Sequence, residues 1–304
     1  MKNVLITGAY GFLGRNVAKE FKANGAYVVG IGHGKWYQDE YAKWGIDEWH
    51  ETTITFEALL NVNQEFDVIV HCGGSGSVGF SHENPYEDFQ KSVQSTLSLL
   101  EFIRLRNPQC KFIYPSSPAV QGNLGNIPIK ESMESVPVSP YGFHKKIAEQ
   151  LCLSYHNNFN IQVGIIRYFS IYGAGLKKQL LWDACRKIQE SDVVVFFGTG
   201  KETRDWLNVS DAARLLRMFS EHVKGYDVIN GGSGRSIEIQ KVISDLCSHF
   251  NKPVSVKFNG ATKEGDPIYF WADITKASSL GWKPEIDVEE GLKSYVKYYK
   301  GLTS

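Results

Sequence analysis

The sequence predicts an α/β protein with a doubly wound parallel sheet and a smaller α/β lobe after it. Three observations predict it. Short apolar runs with a β-branched bias recur through the N-terminal half, and helical patterns separate them. The runs are apolar throughout instead of alternating, as strands covered on both faces require. A glycine triplet, Gly8-x-x-Gly11-x-x-Gly14, follows the first run and opens the first helix. That turn makes the sheet Rossmann-type.

The elements follow in order. Val4-Leu5-Ile6 is the first strand, and Phe12, Leu13, Val17, Ala18 and Phe21 give a helix ending near Asn24-Gly25. Tyr27 to Ile31 is the second strand. Trp36 to Glu57 is the least regular stretch and holds three of the seven tryptophans; it reads as a loop with one weak strand near Trp49 to Thr53. Asp67 to Val70 and Lys111 to Tyr114 are strands, with a long helix from Pro85 to Arg106 between them. Tyr141 to Asn158 is helical, and Ile161 to Phe169 is a strand. Beyond residue 170, helices at 176–190, 210–222 and 237–250 alternate with short strands at 193–197, 227–230 and 254–258. The expected division is 1–172 for a dinucleotide-binding domain and 173–304 for a lobe interleaved with it, because no linker marks a boundary. An Asn/Gly loop at 123–126 is expected to be exposed.

Composition narrows the function. Thirty-three basic residues balance 33 acidic ones, so a nucleic-acid footprint is missing. No run reaches the ~18 apolar residues of a membrane span. Met1 to Gly8 enters a strand directly, and a signal peptide is not expected. The five cysteines, Cys72, Cys110, Cys152, Cys185 and Cys247, are odd in number and contain no C-x-x-C. Free thiols, no metal site and a reducing cytoplasm are the expectation.

The glycine triplet lets a backbone turn approach a diphosphate at the positive end of a helix; the alternative is a tight turn without ligand. An NAD site usually ends the second strand with an acid. Gly32 stands there, followed by His33 and Lys35, with Arg15 just past the glycine turn. Without the acid and with nearby cations, the reading is NADP, with NAD as the alternative.

Tyr141-x-x-x-Lys145 places a phenol and an ammonium on one helix face, which favours the phenolate and makes Tyr141 a general acid/base. Ser117 lies at the end of the preceding strand, where open sheets bind ligands. Each taken alone is also explained by a solvated pair or a turn serine; their order in one chain makes the case.

These residues, with Asp67 to His71, Ser116 to Gly122, Arg167 to Gly173, Gly198 to Gly200, Arg204 to Trp206, Asn230 to Gly232 and Leu280 to Pro284, resemble an extended short-chain dehydrogenase/reductase of the NAD-dependent epimerase/dehydratase family, which modifies nucleotide sugars. The resemblance implies a catalytic Ser117, Tyr141 and Lys145. It implies a dinucleotide held by Gly8, Tyr10, Gly11, Phe12, Leu13, Gly14, Arg15, His33, Lys35, Cys72, Gly73, Gly74, Tyr141, Lys145 and Tyr168. It implies a nucleotide sugar held by Ser75, Ser117, Ser170, Lys177, Leu180, Phe197 and Arg204. It also implies a homodimer, for which Leu97, Leu100, Ile103, Ile147 and Leu151 are apolar enough; burial against their own sheet is the alternative.

Departures shape the activity. Pro118 and Ala119 follow Ser117 where sugar 4,6-dehydratases carry Asp-Glu, and neither moves a proton, so dehydration is not expected. Family members commonly have Asn at Ser92 and Ser170 and Ala-Ala at Gly73-Gly74. The leading reading is an NADP(H)-dependent reductase acting on a 4-keto nucleotide sugar. The alternative is an NAD-dependent nucleotide-sugar 4-epimerase. The third is a non-catalytic dinucleotide sensor.

Overall fold

The computed structural model describes residues 1–62, 64–250, 252–261 and 268–303. β1 (Asn3–Thr7), α1 (Phe12–Ala23), β2 (Tyr27–Gly32) and β3 (Glu48–Glu51) come first, with a 3-10 turn at Glu40–Trp44. α2 (Phe56–Leu60) leads to β4 (Val68–His71). α3 (Val78–Glu83), α4 (Pro85–Phe89) and α5 (Ser95–Arg106) follow, with a π turn at Gln90–Gln94 between the last two. β5 (Lys111–Ser116), α6 (Pro140–Phe159), β6 (Gln162–Tyr168) and β7 (Ser170–Tyr172) come next. Then come α7 (Gln179–Glu190), β8 (Val193–Phe196), β9 (Thr203–Arg204), β10 (Trp206–Asn208), α8 (Val209–His222) and β11 (Tyr226–Gly231). β12 (Ile237–Glu238), α9 (Ile239–Phe250), β13 (Ser255–Phe258), α10 (Thr275–Ser279) and α11 (Val288–Thr303) complete the described chain.

Seven strands form one parallel sheet in the order β11-β6-β5-β4-β1-β2-β3. Successive residues of β1 explain the double covering. Val4 and Ile6 enter a cluster with Val17 and Phe21 of α1 and Leu216 of α8, while Leu5 enters the opposite one with Leu99 of α5 and Ala148 of α6. A third cluster, around Tyr172, Leu181, Trp206, Leu246 and Tyr295, forms the core of the lobe. The chain leaves β1 toward β2 and β3 and returns on the other side at β4, so the strand order reverses between β1 and β4. Ligands bind outside the carboxyl ends of strands at such a reversal. No helix of the described residues is long and apolar enough to cross a membrane.

Several elements depart from expectation. Pro85 to Arg106 is helical but interrupted by the π turn. The weak strand starts one residue early, at Glu48. α2 and α3 arise where no helix is expected, because five or six residues are too few to show a periodic face. β11 crosses back into the main sheet beside β6, although it lies after residue 173.

Candidate active site

The glycine turn fits a diphosphate. Gly8 has φ +66°, a left-handed conformation that glycine adopts freely. Its N–H donates to the Ile31 carbonyl at 2.7 Å, and Gly11 N–H donates back to Gly8 O at 2.8 Å. A Cβ at Gly8 would lie 2.6 Å from Gly73 N, so the turns after β1 and β4 touch through backbone. No side chain caps α1, which leaves its first amides to an anion. Phe12 packs toward the lobe core and Leu13 toward the sheet core, so these two offer backbone only.

The end of β2 is closed by aromatic rings. A Cβ at Gly32 would lie 3.1 Å from the Trp49 indole, and one at Gly34 would fall 1.9 Å from the Tyr10 ring. Tyr10 meets Trp36 edge-on at 4.7 Å, and Trp36 meets Trp49 at 5.8 Å. The guanidinium of Arg15 lies 5.2, 5.3 and 4.9 Å from the ring centroids of Tyr10, Trp36 and Trp44. Its Nε donates to the carbonyls of Tyr10 at 3.1 Å and Gly11 at 3.3 Å, and a terminal nitrogen donates to Tyr10 as well. Arg15 is therefore held over these rings and the Tyr10 and Gly11 carbonyls, which makes it a less available partner for a 2′-phosphate than the sequence suggests. His33 and Lys35 are exposed.

At the end of β4 a directed chain of hydrogen bonds holds the turn that carries Cys72, Gly73 and Gly74. Ser95 donates to Lys91 O at 2.6 Å, so it accepts from His71 Nε2 at 3.0 Å. His71 Nδ1 therefore carries no proton and accepts from Thr7 at 2.7 Å, and Thr7 accepts from Gly73 N–H at 3.3 Å. Burial lowers the His71 pKa to about 3, so the ring stays neutral. Burial also raises the Cys72 thiol to about 12, leaving it un-ionised. The buried phenol of Tyr168 donates to Ala212 O at 2.7 Å, on α8.

Ser117, Tyr141 and Lys145 come together. Ser139 caps α6 by accepting from Gly142 N–H at 3.2 Å, Pro140 opens the helix, and Tyr141 N–H donates to Ser81 at 3.0 Å. Ser117 follows β5 directly, and its hydroxyl acts to lower the pKa of the Tyr141 phenol. Lys145 is buried, donates to Pro115 O at 3.0 Å and lies 5.9 Å from the Tyr141 ring centroid. Burial pulls the Lys145 pKa down to about 8, against the pull of Asp88 and Glu149. Burial pushes Tyr141 up to about 12, against its bond from Ser117. The expected lowering of Tyr141 by Lys145 does not outweigh desolvation among these groups. Asp88 and His144 also stand here, and the Tyr-x-x-x-Lys reading does not find them.

Ser75 lies in the turn after β4, and Ser170 opens β7. Lys177 is exposed, Leu180 packs on the lobe core, Phe197 is 54% exposed, and Arg204 donates to Thr203 O at 2.8 Å. Gln179, unexpected from sequence, has φ +67° and reaches Gly76 O at 3.4 Å, joining the lobe to the turn after β4. A surface cleft of about 530 Å3 beside β11 and α10 shares none of these residues. No group of residues suited to hold a metal ion occurs among the described residues.

A glycine turn at a sheet reversal and a Ser-Tyr-Lys group at the neighbouring strand ends define a dinucleotide-dependent enzyme of the extended short-chain dehydrogenase/reductase class. The model of the NAD dependent epimerase/dehydratase family matches residues 4–232, and the chain belongs to that family. It is 31% identical to a UDP-glucuronate 4-epimerase of Thermodesulfobacterium geofontis, over 97% of this chain and 95% of that one. It is 28% identical to the UDP-glucuronic acid 4-epimerase of Bacillus cereus, solved with UDP-glucuronic acid and NAD; the TM-score is 0.86 and 99% of each chain is covered. It is 25% identical to the UDP-glucose 4-epimerase of Thermotoga maritima, solved with UDP-glucose, with a TM-score of 0.84 over 99% of this chain and 100% of that one.

Proposed function

We propose that this chain is an NAD-dependent nucleotide-sugar 4-epimerase acting on a UDP-hexose or UDP-hexuronic acid. The observation that carries the reading is that relatives matched along nearly the whole chain are 4-epimerases, one of them solved with NAD. The engagement of Arg15 by Tyr10, Trp36 and Trp44 supports NAD over NADP. The reductase reading rested chiefly on the absent acid at Gly32, and the 4-epimerases matched above do not favour it.

A bound NAD would supply the acceptor and donor for the hydride of carbon 4. Tyr141 would take the proton of the 4-hydroxyl and give it back to the same oxygen after the keto sugar has turned its other face to the nicotinamide. Ser117 would hold the same oxygen. Lys145, fixed by Pro115 O, would stabilise the phenolate and bind the nicotinamide ribose. The first amides of α1 would hold the dinucleotide diphosphate, and Arg204 the substrate diphosphate. Phe197 would offer an exposed ring to the base. Pro118 and Ala119 supply no further acid or base, so the sugar would keep its oxygens.

We also propose a homodimer through the outer faces of α5 and α6. Leu97, Phe143 and Leu153 are 41, 52 and 40% exposed there, whereas Leu100 and Ile103, expected in that interface, lie in the sheet core.

The test is to denature the purified protein, identify the released dinucleotide, and incubate native protein with UDP-glucose, UDP-glucuronic acid and UDP-N-acetylglucosamine deuterated at carbon 4. Released NAD and a 4-epimer that keeps its deuterium without added cofactor are expected. Stoichiometric oxidation of NADPH by a 4-keto nucleotide sugar, with no epimer formed, would return the reductase reading.

A further inference from the structure

Asp88 is a wholly buried carboxylate that the chemistry above does not use. Its Oδ2 lies 2.5 Å from Nδ1 of His144, and its Oδ1 has no hydrogen-bond partner among the described residues. His144 sits on α6 between Tyr141 and Lys145, with its ring edge against Phe89 at 5.5 Å. One buried polar contact therefore ties the short helix α4 to the first turn of α6.

Burying a carboxylate costs several kcal/mol, and an apolar pair of similar volume joins two helices at least as well. The position of the charge is what such a pair lacks. Lys145 is a buried ammonium, and two anions act on it, Asp88 and Glu149. Glu149 is already matched by Arg167 at 2.7 Å and by Ser116 at 2.6 Å. Asp88 meets one side chain, the His144 imidazole, and leaves Oδ1 without a partner among the described residues. It favours the charged form of Lys145 and opposes ionisation of Tyr141.

The surrounding charges do not replace it. His82 and Glu83 on α3 are exposed. Glu87 of α4 pairs with Lys91 of the π turn at 2.5 Å, and Lys146 of α6 donates to Ser135 O at 2.6 Å. Glu101 and Arg104 of α5 pair with each other, and Glu101 meets α6 at Tyr155, near its far end.

We infer that Asp88 and His144 are a positioning pair for Tyr141 and Lys145: His144 holds the buried Asp88 carboxylate against the first turn of α6, which sets its charge beside the two residues. The inference rests on the reading of Tyr141 and Lys145 as the proton-exchanging couple.

The test titrates Tyr141 in the full-length protein with its bound cofactor, by near-ultraviolet tyrosinate absorbance with the Tyr141→Phe signal subtracted. Asp88→Asn removes the charge and keeps the shape. It is expected to lower the Tyr141 midpoint by about one pH unit and to move both limbs of the pH–kcat profile the same way, with KM little changed. His144→Gln keeps a donor for Asp88 but carries no charge, so the Tyr141 midpoint should stay at the wild-type value or rise. An unchanged midpoint in Asp88→Asn, or equal downward shifts in both variants, overturns the inference. If Asp88→Asn does not fold, His144→Gln decides: a midpoint below wild type overturns it. The titration needs no turnover, so failure of wild type to epimerise UDP-sugars would count against the proposed function and leave this result readable.

Discussion

The Thr7 hydroxyl lies 2.7 Å from Nδ1 of His71, and both side chains are buried. This contact joins the ends of β1 and β4, the two strands between which the sheet order reverses. Because Ser95 donates onward to Lys91 O, every hydrogen in the chain from Gly73 to Lys91 has one direction. The Cys72–Gly74 turn is thus fixed by a buried polar network with no spare donor. Such networks are costly to interrupt.

Thr7→Val should therefore destabilise the protein by about 1–3 kcal/mol, since it leaves His71 Nδ1 and Gly73 N–H without partners. The midpoint of urea unfolding measures this. A pH signature accompanies it. His71 titrates at about 3 in the fold against an ordinary 6.5. Between these values the unfolded chain binds a proton that the folded chain does not, so stability falls as pH drops from 6.5 toward 3. His71→Asn should flatten that slope. A slope equal to wild type would show that His71 is not its source.

What the sequence made legible is local. The strands of the parallel sheet and the glycine turn announce themselves within windows of a few residues, and Tyr141 and Lys145 sit four apart on one helix. What it hid depends on contacts between distant segments. Arg15 meets Trp36 and Trp44 across more than 20 residues, so these two tryptophans of an aperiodic stretch gave no sign of a common cation. Asp88 and His144 are 56 residues apart. β7 and β10 are three-residue strands that pair only with each other, and no periodicity survives at that length. α11 differs: Val288, Leu292, Tyr295, Val296 and Tyr299 share one buried face at a helical spacing already present in the sequence.

Arg15→Leu should change stability more than cofactor choice. Contacts of a cation with aromatic rings contribute about 0.5–1 kcal/mol each at partly exposed sites, so a loss of about 1–2 kcal/mol is expected. The ratio of dissociation constants for NAD and NADP should move less than threefold, about 0.7 kcal/mol. A large fall in NADP affinity alone would show that the guanidinium leaves its rings to meet a 2′-phosphate.

Tyr141→Phe should lower kcat by about 10²–10⁴-fold, the usual weight of a positioned acid/base. The content of bound dinucleotide should match wild type, because the phenol is engaged with Ser117 and the helix start is held through the Tyr141 backbone and Ser81. Parallel losses of turnover and bound dinucleotide would move Tyr141 from proton transfer to cofactor retention.

The glycine turn offers the sharpest steric test. A Cβ at Gly14 would lie 2.3 Å from Gly8 O and 2.8 Å from Ala9 Cα, both backbone atoms of the turn itself. Backbone does not swing aside as a long side chain does, so α1 must back away from the turn. Overpacking of this kind costs about 1–3 kcal/mol. Displacing the first turn of α1 also moves the amides proposed to hold the diphosphate. Gly14→Ala should thus lose both stability and bound dinucleotide. Gly76 provides the contrast, since a Cβ there meets nothing within 4 Å. Gly76→Ala should unfold within about 0.5 kcal/mol of wild type and keep its cofactor. Dinucleotide per chain after gel filtration, measured beside the urea midpoint, separates the two. A Gly14→Ala protein that retains full cofactor would show that the diphosphate is not held at the start of α1.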